Sequence, residues 1–166
     1  MKKKARKGAR RERRGGTWAR ILEEEGVRRA LWILNVPTSL GELKGLIAEE
    51  KSLRGLEGLQ RRKVEFCQVG AIMKVTPTEH LSQEDQEGID IKVEFQNGKI
   101  VFADVKGHRW TQSEARVLLK RSRCLIAIPE RTSDEEAKEM VWEQTNWFLQ
   151  EREKERRGDQ LLGAHR

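Results

Sequence analysis

Asp90, Asp104 and Lys106 are the residues whose types and spacing most directly offer chemistry. Two carboxylates on one face can hold a divalent cation. Magnesium and similar hard cations take oxygen ligands, often one or two carboxylates with water and a substrate phosphate. Lys106 lies two residues beyond Asp104, so on a strand both side chains point the same way. An ammonium there could hold an attacking water or steady charge on a phosphate.

Whether the two acids meet depends on a turn. Ile89, Ile91, Val93 and Phe95 alternate with Asp90, Lys92 and Glu94, the period of a half-buried strand. Asn97-Gly98 signals a hairpin, and Lys99 to Lys106 reads as its second strand. A two-residue loop, Asn97-Gly98, would pair Asp90 with Val105 and put Asp104 on the other face. A three-residue loop, Gln96-Asn97-Gly98, with Gly98 left-handed, pairs Phe95 with Lys99 and Asp90 with Asp104. The second register is expected. It gathers Val101, Ala103 and Val105 on the apolar face, and Asp90, Asp104 and Lys106 on the other.

Gly88-Ile89-Asp90, a hairpin and then Asp104-Val105-Lys106 resemble the PD-(D/E)XK nuclease superfamily, with Ile89 standing where the family name has proline. The resemblance implies an α/β fold. Its restriction-endonuclease-like αβββαβ core would have a mixed central sheet flanked by helices, here with N-terminal helices added. It implies metal-dependent hydrolysis of phosphodiester bonds, most naturally of DNA, with Mg2+ as cofactor and Mn2+ as a substitute. Asp90, Asp104 and the carbonyl of Val105 would bind the metal, and Lys106 would be catalytic. Family members also carry a glutamate on the helix before the first strand. Glu57 fits that place best and Glu65 second.

Acid-x-lysine alone says little, because the chain holds five such triplets. Only Asp104-Val105-Lys106 has an acid at the matching point of the preceding strand. An alternative takes Glu79 as the first acid and Asp90-Ile91-Lys92 as the triplet, but it leaves Asp104-Val105-Lys106 unexplained. The same elements could also serve a catalytically inactive nucleic-acid-binding or assembly module, since fold does not fix function.

The elements that must position these residues follow in order. Residues 1–16 are basic and end in Gly15-Gly16, which reads as a disordered tail. Residues 17–52 read as a helical extension: one helix over Thr17 to Leu34, closed by Asn35-Val36-Pro37, and a second capped by Ser39 that fades by Lys51. Residues 53–157 read as the nuclease-like core. A helix over Leu53 to Gln68, stopped at Gly70, comes first, although Val64 to Cys67 could instead begin a strand. A strand follows over Ala71 to Thr76. A polar loop, Thr78 to Glu87, holds Glu79, Glu84, Asp85 and Glu87, one of which could add a metal contact. After the hairpin, His108, Arg109, Gln112 and Lys120 are placed to touch nucleic acid. Thr111 to Glu114 is a capping box that opens a helix, and Cys124 to Ile128 reads as a buried strand parallel to its neighbour. Ser133 to Glu136 caps a long helix to about Arg157, and residues 158–166 are expected to fray.

Composition sets the frame. The 166 residues carry 37% charged side chains and a net charge of +7. Residues 1–14 hold nine basic side chains against Glu12, so the remaining chain is close to neutral at about −1. The tail reads as an electrostatic arm for phosphates, the alternative being a solubilising tail with no specific partner. Cys67, Cys124 and the scattered His80, His108 and His165 make no zinc spacing. With no apolar run of membrane-spanning length and no secretory signal, a cytoplasmic protein with no membrane partner is expected. A homodimer is the assembly by which a nuclease of this size would cut two strands, although no sequence feature marks its interface.

Overall fold

The computed structural model describes residues 34–37 and 39–163, with side chains to residue 160. The basic tail and all but the last residue of the helix expected over Thr17 to Leu34, with Trp18 and Trp32, lie outside the described residues; Leu34 itself is in a turn. The chain divides into two compact units, Met1–Leu43 and Lys44–Arg166. In the first, Ser39 Oγ accepts from the Glu42 N–H at 3.1 Å, the expected cap.

Helix α1 spans Leu40–Arg61. The sequence reading split it near Lys51, but it is continuous. Nothing in Glu49-Glu50-Lys51-Ser52 breaks a helix, and Ser52 is buried with its hydroxyl donating to the Ala48 carbonyl at 2.7 Å. Ala48, Ser52, Gly55, Leu56 and Leu59 form the buried stripe. The helix ends at Arg61, short of the expected Gln68, and Lys63 takes φ 51°.

The second unit is α/β, built on a five-stranded mixed sheet in the order β1-β2-β3-β4-β5. Strand β1 (Glu65–Phe66) uses residues at the end of the expected third helix, in line with the alternative reading of Val64 to Cys67. It pairs antiparallel with β2 (Gly70–Pro77). Gly70 therefore starts a strand and does not stop a helix. Its φ is +78°, and a Cβ there would lie 2.8 Å from Gln96 Oε1. Helix α2 (Gln83–Gln86) is a single turn within the acid-rich loop.

Strands β3 (Ile91–Phe95) and β4 (Ile100–Lys106) form the central hairpin. Ile91 pairs with Ala103 and Val93 with Val101. The Phe95 N–H donates to Lys99 O, the Gly98 N–H donates to Phe95 O, both at 2.9 Å, and Gly98 has φ +84°. This is the expected three-residue loop and register. Helix α3 (Gln112–Leu119) then carries the chain to β5 (Arg123–Ala127), which lies parallel to β4. Thr111 caps α3 as expected, accepting from the Glu114 N–H at 3.4 Å.

Helix α4 spans Asp134–Gly163. Ser133 and Glu136 complete the capping box: Glu136 Oε2 accepts from the Ser133 N–H at 2.9 Å, and Ser133 Oγ from the Glu136 N–H at 3.3 Å. The helix runs past Arg157 to Gly163, into the segment expected to fray. Just before that segment Glu153 pairs with Arg156 and Arg157 at 2.9 Å each, at helical spacing. Leu56 and Leu59 of α1, Val93, Phe95, Val101, Ala103 and Ile126 of the sheet, and Val141 and Phe148 of α4 share the main core. Ala115 and Leu118 of α3 cover Leu125 and Ala127 on the other face. Among the described residues, no helix is long and apolar enough to cross a membrane.

Candidate active site

The hairpin register fixes where the acids go. Asp90 immediately precedes β3, and its N–H donates to Ala103 O at 2.9 Å. Its Oδ2 accepts from the Val105 N–H at 2.6 Å, which ties the first acid to the strand carrying the second. Val105 thus contributes its N–H to an acid, a group separate from the carbonyl expected to bind the metal. Asp104 is buried at 6% exposure, and its Oδ1 has no hydrogen-bond partner among the described residues. Among the described residues the nearest cation is Arg123, with Nη1 3.7 Å from that oxygen. Lys106 closes β4, half-buried and on the Asp104 side of the strand.

Burial raises the pKa of both aspartates. Asp90 is raised further by Asp104, against the Val105 N–H and the Lys106 charge. Asp104 is held back by Lys106, Arg123 and Arg121. A third acid joins them. Glu49 of α1 is pushed from 4.5 to about 7, first by burial and then by the charges of Asp90 and Asp85, against Lys106 and His80.

Two glycines permit the convergence. Gly88 has φ +77°, and a Cβ there would sit 3.4 Å from Arg123 Nη1 and 3.7 Å from Asp104 Oδ1. The Arg123 guanidinium also donates to the Glu87 carbonyl, so it pins the approach to Asp90 against Asp104. At Gly107, a Cβ would meet the Lys44 carbonyl at 2.6 Å, so α1 crosses directly against the end of β4. That close approach brings Glu49 into the field of Lys106.

Glu57, the expected helical acid, is exposed and lies eight residues beyond Glu49, about 12 Å along the axis. Glu65 is exposed on β1, at the far edge of the sheet. Neither is among the charges acting on Asp90, Asp104 or Glu49, and Glu49 is tied to the pair through the effect of Asp90 on its own carboxyl. Of the loop acids, Glu79, Glu84 and Glu87 are exposed, whereas half-buried Asp85 acts on both Glu49 and Asp90. Its Oδ2 accepts from the Leu81 N–H at 2.9 Å and lies 3.5 Å from His80 Nδ1.

His108 is exposed, with Nε2 3.5 Å from Glu114 Oε1. Arg109 follows it, and Gln112 and Lys120 mark the two ends of α3; all three are exposed. Glu49 and Arg123 were the residues sequence reasoning missed. Glu49 sits beside the buried Ala48–Ser52 stripe, a signal visible only once α1 is read as one helix. Arg123 opens β5 opposite Phe102, two residues before Asp104.

The cluster concentrates negative charge where water is scarce, and either protons or a cation can relieve it. Among the described residues, no three His, Cys, Asp or Glu side chains converge as a formed metal cage. Mg2+ needs only one or two protein carboxylates beside water and phosphate oxygens. The orphan Asp104 oxygen, the neighbouring Asp90 and the all-oxygen donor set fit a hard cation of that kind. Comparison with family models, curated proteins and solved structures found no match to the chain.

Proposed function

We propose that this chain is a metal-dependent nuclease that hydrolyses phosphodiester bonds, with DNA as substrate, on a restriction-endonuclease-like core. The observation that carries the reading is the hairpin register: the Val105 N–H holds Asp90 beside the strand of Asp104, with Lys106 two residues on. The order α1, β2, β3–β4 hairpin, α3, β5, with β5 parallel to β4, agrees with an αβββαβ core. Glu49, on the helix before the strands, supports it from outside the motif.

In this reading Asp90 and Asp104 hold Mg2+ or Mn2+. A bound divalent ion would lower the pKa of a water and draw charge from the phosphate. Lys106 orients that water or steadies the charge that develops on the phosphate. Glu49, whose carboxyl burial pushes up to about 7 in the metal-free chain, can accept a proton and pass it on.

The test is cleavage of labelled single-stranded, duplex and branched DNA with magnesium or manganese. Wild type, Asp104→Ala and Lys106→Ala are compared after circular dichroism confirms each fold. The reading expects metal-dependent cleavage that both substitutions abolish. The rival is an inactive nucleic-acid-binding module, and the observation that favours it is Arg123. A guanidinium 3.7 Å from Asp104 supplies a cation from the chain itself. Binding unaffected by metal or by Asp104→Ala, with no cleavage, would establish that rival.

A further inference from the structure

Beyond Lys106, on the α3 side of the sheet, lies a cleft that the acids do not use. Its volume is about 570 Å3, room for a nucleoside. Met140, Glu143, Gln144 and Trp147 of α4 form one wall at helical spacing, and Arg109 and Trp110 form another. The two indoles meet edge to face, with ring centres 5.3 Å apart and planes at 77°. The floor is fixed: Gln144 is buried, takes the Ala127 N–H at 2.8 Å and donates to the Ala127 carbonyl at 3.1 Å.

Two features point to a ligand. The Trp110 Nε1–H is buried with no acceptor among the described residues. Removing a donor from water without a partner is unfavourable, so a group with an acceptor would complete it. The cleft also adjoins the candidate active site. Ala127 lines it and pairs in register with Lys106. Neighbouring strands lie about 4.8 Å apart, less than the reach of one nucleotide.

We propose that this cleft takes an unpaired base of the strand whose phosphate lies at Asp90, Asp104 and Lys106. This rests on the nuclease reading and names its substrate class: nucleic acid with an unpaired nucleotide next to the cut, such as a single strand, flap or branch. Trp110 and Trp147 supply aromatic surface, which accepts any base by stacking. The indole N–H of Trp110, closed off with the side chain as it lies, donates to a ring nitrogen or carbonyl of the base once the ring turns towards it. Glu143 can accept from an amino group, and Arg109 faces the adjoining phosphate. A base held in a duplex stack could not enter.

The test uses the full chain and a fluorescent single strand of eight thymidines, in calcium to neutralise the acids. Affinity is measured by anisotropy for the intact strand, for strands carrying one abasic residue at each position in turn, and for a blunt duplex. One abasic position should weaken binding about tenfold while the others do little. Trp110→Phe should bind the intact strand several-fold more weakly and lose that positional contrast. A flat abasic scan, or tighter binding of the duplex, overturns the proposal. Should Trp110→Phe fail to fold, the wild-type scan decides alone. Cleavage in magnesium is scored separately. A flat scan with Asp104-dependent cleavage removes the base cleft and keeps the nuclease; a positive scan without cleavage removes the nuclease and leaves a strand-binding module.

Discussion

At the scale of residues, the site is a balance among three acids, Lys106 and Arg123. Lys106 is half-buried and its part in the site is its charge, so Lys106→Ala should abolish cleavage while circular dichroism shows the fold retained. Glu49 and Glu57 make a sharper contrast. Glu49→Gln should lower metal-dependent cleavage a hundredfold or more, and exposed Glu57→Gln should stay within twofold; equal effects would remove Glu49 from the site. The acids also make stability depend on pH. Glu49 has a folded pKa of about 7 against an ordinary 4.5. Between those values folded Glu49 binds more protons than unfolded Glu49, so its contribution to stability is full below about pH 4.5 and is lost as pH rises towards 7. The full shift would correspond to about 3 kcal/mol, and screening at a half-exposed carboxyl reduces this to about 1 kcal/mol. Urea unfolding at pH 5 and pH 8, with chelator present, should show this loss in wild type and a smaller one in Glu49→Gln. Magnesium at pH 8 should restore wild type more than the variant.

At the scale of elements, close approaches decide what each helix and strand can deliver. Gly107 lets α1 lie against β4, where a Cβ would meet the Lys44 backbone at 2.6 Å. Gly107→Ala must push the two apart and should cut cleavage at least tenfold along with some loss of stability. Gly98→Ala meets nothing within 4 Å and suffers only its positive φ. It should cost about 1 kcal/mol and leave cleavage unchanged. The hairpin was legible because it is local: alternation marked its faces and Asn97-Gly98 marked its turn, and the three-residue form of that turn let Asp90, Asp104 and Lys106 be read as one group. The length of α1 was less legible. Its polar middle looked like an interruption, although the buried Ser52 hydroxyl bonds within the helix. That misreading turned attention to Glu57 and away from Glu49, the acid of α1 on which Asp90 acts. Arg123 was hidden for another reason. Its approach to Asp104 depends on β5 docking beside β4 through a crossover, a contact with no short-range signature. The Trp110–Trp147 contact likewise joins a loop to a distant helix.

At the scale of the whole molecule, the sequence separates charge from chemistry. The acids, Lys106 and the tryptophan cleft belong to a body whose charges nearly cancel, while residues 1–14 carry a net +8. A near-neutral body with an acidic centre gains little from long-range attraction to a polyanion and would meet DNA slowly. A basic segment releases counterions from the phosphates it neutralises, and the logarithm of affinity falls with that of salt in proportion to their number. Deleting residues 1–14 should therefore lower DNA affinity most at low salt and flatten its salt dependence, with little change at high salt. If the chemistry is confined to the body, the cleavage rate at saturating DNA should survive the deletion, because the tail acts on encounter and not on the bond being broken. Rates at saturating and limiting DNA, measured from about 50 to 200 mM salt, test both halves. A deletion that abolishes cleavage even at saturation would instead make the tail part of the site.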